Sequence, residues 1–244
     1  MYLFDDIIKE LRDLISQKVK KGLVRQLKYT QDLTWPEADS RNIILQSDVG
    51  MELGHPQDEA VSFIQWTQTD SLVRNDVISL IGPDLAESAK NRIPFGKIVF
   101  VGVEGFDENN CYDRHSEMEL TRFNLALNGY MIRAASQYMK EWSRVSIEAL
   151  KKGFSLSMLG SKQISALKKL DYVTSVEVLF ITASSNEVKK FREYGDRAMQ
   201  RINALRKMTQ EMDLNCSSCD YQEVCNEVDD LRSMRSSLHN KIKN

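Results

Sequence analysis

Three cysteines in the last thirty residues, Cys216, Cys219 and Cys225, have the type and spacing of metal ligands. Thiolates are soft ligands suited to iron–sulfur clusters and zinc. The CxxC pair of Cys216 and Cys219 lets two sulfurs bind one metal centre from a single turn, and the charged, helix-like flanks do not require buried thiols. We predict a metal site, most of all an iron–sulfur cluster. A disulfide, a redox pair and unligated thiols are the alternatives.

A cubane cluster is usually completed by a fourth protein ligand, and the one remaining cysteine is Cys111. It follows the polar segment 107–110, which comes after a predicted strand, and a loop at that place would present a ligand rather than bury it. By elimination we predict Cys111 as the fourth ligand. His115 is the next candidate, since imidazole replaces thiolate in some clusters. In the alternative, Cys111 is an ordinary loop thiol and the fourth iron is open or bridged between chains.

Composition excludes several classes of partner. The 244 residues carry a formal net charge of -2, which gives no overall attraction to nucleic acid or to an anionic membrane. No apolar stretch approaches the ~20 residues of a membrane helix, and the acidic start of the sequence does not resemble a signal peptide. We expect a cytoplasmic protein that binds neither nucleic acid nor membrane; oligomer formation is left open.

The hydrophobic pattern predicts an α+β fold, in which a mixed sheet has flanking helices, an N-terminal helix and a C-terminal helical hairpin that carries the cysteines. Apolar residues at helical spacing predict the opening helix over 3–20. Runs rich in β-branched and aromatic residues predict strands at 42–46, 60–66, 77–81, 97–103 and 173–182. The other predicted helices cover about 116–140 and 143–152, followed by a long helix that begins at Ser185 or Asn186.

This pattern divides the chain into three predicted parts. Residues 1–40 are an N-terminal helix and linker, 41–184 an α+β domain, and 185–244 a helical cluster-binding segment.

Trp142 and Arg144, together with Arg133, form a second group of interest on or beside the predicted helices. Aromatic and guanidinium groups suit the adenine and phosphates of a nucleotide-like ligand. A core tryptophan beside a solvated basic face is the alternative, which the residue types alone favour. The sequence has no GxGxxG, Walker lysine or GxSxG motif, so the usual nucleotide-binding and serine-hydrolase sites have no support.

Five segments, taken in order, resemble a known family. They are Met51-Glu-Leu-Gly-His-Pro-Gln-Asp-Glu-Ala-Val-Ser-Phe-Ile-Gln-Trp-Thr67, Ile78-Ser-Leu-Ile-Gly-Pro-Asp-Leu85, Ile93-Pro-Phe-Gly-Lys-Ile-Val99, Leu127-Asn-Gly-Tyr-Met131 and Trp142-Ser-Arg-Val-Ser-Ile-Glu-Ala-Leu-Lys-Lys-Gly-Phe154. Their order resembles the middle region of acetyl-CoA synthase, the beta subunit of the CO dehydrogenase/acetyl-CoA synthase complex. The resemblance covers roughly residues 48–235.

This resemblance implies a middle α+β domain joined to an end that binds a [4Fe–4S] cubane, which in the family is bridged to a dinuclear nickel site. Cys216, Cys219 and Cys225 match the first three cubane cysteines in order, with a shorter gap before the third. The family's tryptophan and arginine near the coenzyme A path correspond to Trp142 and Arg144.

The sequence departs from the family pattern after Cys225. The resemblance implies a fourth cubane cysteine and a nickel-binding Cys-Gly-Cys segment, and residues 226–244 contain neither. We therefore expect a short relative that lacks the nickel-binding C-terminal part and the N-terminal region that docks CO dehydrogenase, and we expect no stoichiometric nickel.

The main hypothesis is an iron–sulfur protein that binds one [4Fe–4S] cluster, either for electron transfer or as a Lewis-acid site in one-carbon or acyl-CoA metabolism. Its expected partners are a redox, corrinoid or CO dehydrogenase-type protein and a CoA-type ligand. One alternative is an acetyl-CoA synthase-like catalytic subunit that transfers an acyl group to CoA. Another is a non-enzymatic structural or regulatory protein stapled by its metal. Whether the chain is an enzyme is left open.

Overall fold

The computed structural model describes residues 1–38, 42–136, 140–210, 216 and 219–242. These residues form an α+β fold of seven α-helices and nine strands in two mixed sheets, which confirms the predicted fold class. The helices are α1 (Asp5–Lys20), α2 (Cys111–Phe123), α3 (Ile147–Lys151), α4 (Leu156–Leu167), α5 (Ser185–Gln210), α6 (Gln222–Glu227) and α7 (Asp229–Ile242). The strands are β1 (Arg25–Leu27), β2 (Val49–Leu53), β3 (Ala60–Thr67), β4 (Val77–Ile81), β5 (Arg92–Ile93), β6 (Phe95–Val103), β7 (Tyr130–Ser136), β8 (Lys140–Ser146) and β9 (Val173–Ile181).

The larger sheet has the strand order β1-β4-β9-β6-β3. The pairs β3–β6 and β4–β9 are parallel, whereas β6–β9 and β1–β4 are antiparallel. Both β3 and β6 are buried along their whole length, as expected for strands that are covered on both faces and therefore read as continuous apolar runs.

The smaller sheet has the order β5-β2-β8-β7. Its centre is the antiparallel pair β7–β8, in which the register shifts between Ile132 and Ala134. Strand β8 also contacts β3 of the larger sheet, so the two sheets meet along β8.

Helices cover the larger sheet. The apolar stripe of α1 is buried at Ile7, Ile8, Leu11 and Ile15, where the helix contacts β3 and α5. On α4, Gly160 permits a close approach to β4, since a Cβ atom there would lie 2.9 Å from the Cδ1 atom of Ile78. The C-terminal helices α6 and α7 pack against α5 and against each other, which confirms the expected C-terminal helices.

Three of the secondary-structure predictions were wrong in whole or in part. Helix α2 ends at Phe123, and much of the region predicted as helices over 116–140 and 143–152 forms β7 and β8. The Asn128-Gly129 turn, with Gly129 at φ +78°, precedes β7 and ends any helical pattern. The predicted strand at 42–46 is also absent from residues 42–45, and the first strand of this region is β2.

The predicted domain boundaries at residues 40 and 184 stay predictions. The N-terminal part includes β1, which pairs with β4 of the larger sheet. Among the described residues, no helix is both long enough and apolar enough to cross a membrane.

Candidate functional site

The three clustered cysteines lie around the start of α6. Cys216 and Cys219 are half-buried, whereas Cys225 lies inside α6 and is 5% exposed. The carbonyl of Cys219 accepts a hydrogen bond from the amide of Gln222 at 3.1 Å. Residues 211–215 and 217–218 lie outside the described residues. All four cysteines of the chain are free thiols.

The pKa of the Cys225 thiol depends on its burial and on nearby charges. Burial raises the pKa of the Cys225 thiol, the positive charge of Arg235 opposes this, and ionisation of Cys219 and Cys216 raises it further. Cys225 therefore lies within electrostatic range of both other cysteines. Within the described part of the chain, no three His, Cys, Asp or Glu side chains form a group that could hold a metal ion as they stand.

Cys111 does not lie in a loop, as the sequence predicted, but in a helix. It is the first residue of α2 and is completely buried in the hydrophobic core. Burial raises the pKa of its thiol to about 11, and the charges of Asp107 and Asp230 add to that effect. Because Asp230 belongs to the first turn of α7, the fold brings the start of α2 close to the helix that follows the three cysteines. Ligation by Cys111 stays a prediction.

His115 lies one helical turn after Cys111 and is also buried. Burial lowers its pKa to about 4, so the imidazole is neutral at neutral pH. Its Nδ1 atom has no hydrogen-bond partner among the described residues.

Trp142 and Arg144 lie on β8 rather than on a helix. The guanidinium carbon of Arg144 is 5.3 Å from the centroid of the Trp142 ring, and that of Arg133, on β7, is 5.7 Å from it. Such distances are typical of cation–π contacts. His55, in the turn after β2, meets the indole edge-on at 5.1 Å. This contact depends on the pairing of β2 with β8.

The Arg144 guanidinium already has protein partners. Its Nε donates to Oε1 of Glu52 at 3.0 Å, and its other nitrogens donate to the Ile44 carbonyl and to Oε1 of Gln46. The residue is 7% exposed, whereas Arg133 is exposed. In contrast, the Nε1 atom of Trp142 is buried and has no hydrogen-bond partner within the described residues. Arg144, which is fixed by these partners, therefore holds the indole in place, whereas Arg133 is exposed to solvent.

Comparison with known proteins identifies the family. Residues 38–188 match the CdhC family, described as the CO dehydrogenase/acetyl-CoA synthase complex beta subunit. None of the curated proteins compared with the chain matches it. The match includes Cys111, Trp142 and Arg144, and it ends before the cluster of Cys216, Cys219 and Cys225. Since the matched residues make up more than half of the sequence, the chain belongs to the CdhC family of CO dehydrogenase/acetyl-CoA synthase complex beta subunits.

Proposed function

We propose that this acetyl-CoA synthase-related chain is an iron–sulfur protein in which Cys216, Cys219 and Cys225 bind one [4Fe–4S] cluster. The observation that supports the proposal is the position of the three thiols, of which Cys216 and Cys219 are half-buried just before α6 and Cys225 is buried inside it. Thiolates are the usual ligands of such clusters. A bound cluster would supply electron transfer or, where one iron lacks a protein thiolate, a Lewis-acid site.

The donor set fits an iron–sulfur cluster in its chemistry. Soft thiolates favour iron–sulfur centres and zinc over hard cations such as Mg²⁺. Burial raises the pKa of the Cys225 thiol, and the positive charge of Arg235 opposes this effect in part. The described side chains do not yet form a ligand group, so the half-buried Cys216 and Cys219 would have to approach Cys225. Metal binding and local folding are commonly coupled in this way.

The indole of Trp142 supports the second half of the proposal, a CoA-type ligand. A half-buried aromatic ring beside an exposed arginine offers a stacking surface for adenine and a cation for phosphate. In this proposal Trp142 and Arg133 contact the ligand, while Arg144 holds the indole through its own contacts with Glu52 and Gln46.

Family membership supports a protein partner. The family is described as a subunit of a complex, and we propose that this chain associates with a CO dehydrogenase-type, redox or corrinoid protein in the cytoplasm. The expectation that nickel is not stoichiometric remains a prediction, which metal analysis of the same preparation tests.

A structural metal staple is the second candidate, and the packing of the C-terminal helices favours it. Cys225 is buried together with Leu231 and Met234 of α7, and α6 and α7 both pack against α5. A zinc ion bound by Cys216, Cys219 and Cys225 would fix the angle between α5 and α6 without any redox chemistry.

Metal analysis of protein purified without oxygen separates these candidates. A bound cubane gives about four iron and four sulfide per chain and a broad brown absorbance, whereas a staple gives a colourless protein with zinc. Cys219→Ser should remove most of the iron, and the triple variant Cys216→Ser/Cys219→Ser/Cys225→Ser should remove all of it.

Three results would contradict the main proposal. A triple serine variant that keeps its full iron and sulfide would place the cluster elsewhere. Zinc in place of iron in the anaerobic wild-type protein would support the staple. Tightly held nickel, together with exchange between CO and acetyl-CoA, would instead support the catalytic-subunit hypothesis.

A further inference from the structure

A buried polar network joins the two sheets at Glu141 of β8. The Nζ atom of Lys97, on β6, lies 2.7 Å from its Oε2 atom, and both side chains are fully shielded from solvent. The hydroxyl of Ser62, on β3, donates to the same oxygen at 2.8 Å. Tyr130 and Ser143 donate to Oε1 at 3.0 and 3.1 Å. One carboxylate therefore receives contacts from four different strands.

The network extends to α2 through Arg122. This buried guanidinium donates to the Ser62 hydroxyl and to the carboxylate of Glu119. Burial alone would raise the pKa of Glu141, but the charges of Lys97 and Arg122 hold it below its usual value. Glu141 is therefore ionised at neutral pH.

The backbone at Glu141 is fixed as well. Gly54, after β2, has φ +64°, and a Cβ atom there would lie 2.3 Å from the Glu141 carbonyl oxygen. The next residue of that turn is His55, which contacts the ring of Trp142. Both the side chain and the main chain of Glu141 are thus held one residue before the indole.

Successive side chains of a strand point to opposite faces, so Glu141 reaches into the core while Trp142 lies on the other face of β8. We propose that the Lys97–Glu141 ion pair is a positioning device that fixes β8 and so sets the place of the Trp142 indole for its ligand. The ligand half of this inference rests on the proposed function; the position of the indole does not.

Stability alone gives no reason for such a pair. Replacing a buried ion pair by apolar side chains of similar volume is often neutral or stabilising, whereas removing one partner is strongly destabilising. The three hydrogen bonds from Ser62, Tyr130 and Ser143 instead specify the position of the carboxylate, because hydrogen bonds are directional, and the Lys97 ammonium group adds an ion-pair contact. If the residue at position 141 only had to fill the core, leucine would be sufficient there.

The test replaces the pair and observes the indole directly. The chain has three tryptophans, so ¹⁵N-tryptophan labelling gives three indole N–H signals, and Trp142→Phe identifies the one from Trp142. In Lys97→Met/Glu141→Leu, which keeps both volumes, we expect that signal to shift or broaden and CoA affinity to fall by about tenfold. Tyr130→Phe, which removes one donor to Glu141, should move the signal in the same direction by less.

The matched control is Arg12→Met/Glu177→Leu, which removes a partly buried ion pair between α1 and β9 and should leave the Trp142 signal and CoA affinity unchanged. An unchanged Trp142 signal in a folded Lys97→Met/Glu141→Leu protein would overturn the inference. If that protein does not fold, the Trp142 indole signal in the Tyr130→Phe protein decides whether the inference holds. A wild-type protein without CoA binding would defeat the ligand half of the proposed function, while the indole signal would still decide the positioning role.

Discussion

Arg12 and Glu177 join the first helix to the centre of the larger sheet through two hydrogen bonds. Nη1 of Arg12 donates to Oε1 of Glu177 at 2.8 Å, and Nη2 donates to Oε2 at 2.6 Å. Arg74 donates to the same carboxylate from the loop before β4. Burial alone would raise the pKa of Glu177, but hydrogen bonds from both arginines hold it below its usual value.

We therefore predict that Glu177→Gln lowers the free energy of unfolding by about 3 kcal/mol at pH 7, because two guanidinium groups lose a buried charged partner. Since the folded-state pKa is the lower one, this stabilisation is present above the unfolded-state pKa and is lost as pH falls through the folded-state pKa. The difference between wild type and variant in urea denaturation should therefore narrow as the pH falls below the usual pKa of a glutamate toward the lower folded-state pKa of Glu177.

Glu10→Gln is the matched control for that measurement. Glu10 also accepts two hydrogen bonds from an arginine, Arg197, but about half of its side chain is exposed. Exposed ion pairs contribute roughly 0.2–1 kcal/mol, so this variant should differ little from wild type. Equal losses in the two variants would contradict the role assigned to the burial of Glu177.

Gly54 and Gly22 provide a second comparison, between two glycines with nearly the same backbone conformation. Their φ angles are +64° and +67°. A Cβ atom on Gly54 would lie 2.3 Å from the Glu141 carbonyl oxygen, whereas one on Gly22 would have nothing within 4 Å. Alanine costs about 1–2 kcal/mol in this region for either residue. We predict a clearly larger fall in the melting temperature for Gly54→Ala, and equal falls would contradict the close approach of the β2 turn to β8.

Much of the fold could be predicted because its patterns are local. The helical spacing of Ile7, Leu11 and Ile15 follows from one buried face on α1. Strands β3, β4, β6 and β9 are rich in buried apolar residues, since sheet and helices cover them on both sides.

The β7–β8 hairpin was missed for a physical reason. On β8 the buried positions include Glu141 and Ser143, and the half-exposed position between them is Trp142. In a typical half-buried strand, apolar residues face the core and polar residues face solvent. On β8 this pattern is reversed. Its polar inward face is stable only because residues distant in the sequence, among them Lys97 and Ser62, supply partners.

The candidate site likewise has residues that could be identified from the sequence and contacts that could not. The CxxC pair and Cys225 are visible in the sequence because they lie within ten residues of one another. The approach of Cys111 to Asp230 and the contact of His55 with Trp142 depend on long-range packing, which no local pattern encodes.

If Cys111 is the fourth ligand, Cys111→Ser should lower the iron content or change the EPR spectrum of the reduced protein. The thiol is buried in the core, so the variant should also lose stability, and iron must be measured per folded chain. Met118→Ala is the control, because it opens a cavity in the same helix without removing a thiol. Unchanged iron content and an unchanged spectrum in Cys111→Ser would exclude Cys111 and leave His115 or an exogenous ligand as the fourth ligand.

Thiol labelling of the metal-free protein should separate the four cysteines by burial. The half-buried Cys216 and Cys219 should react first, followed by Cys225 and then Cys111, which is inaccessible and whose pKa is raised to about 11. Mass spectrometry after a brief exposure to iodoacetamide gives the order. Early modification of Cys111 would contradict its place in the core, and protection of Cys216 and Cys219 after iron–sulfide reconstitution would support their role as ligands.

Trp142→Ala should weaken CoA binding by about tenfold, because stacking of a base on an aromatic ring contributes roughly 1–3 kcal/mol. Pantetheine, which lacks the adenine nucleotide, should bind wild type and variant equally, so the comparison isolates the adenine end of the ligand. Trp35→Ala is the control, since Trp35 packs on Phe154 and donates to the Asn128 carbonyl. Calorimetry that shows equal losses for CoA and pantetheine in Trp142→Ala would assign Trp142 to the structure of the smaller sheet rather than to a nucleotide site.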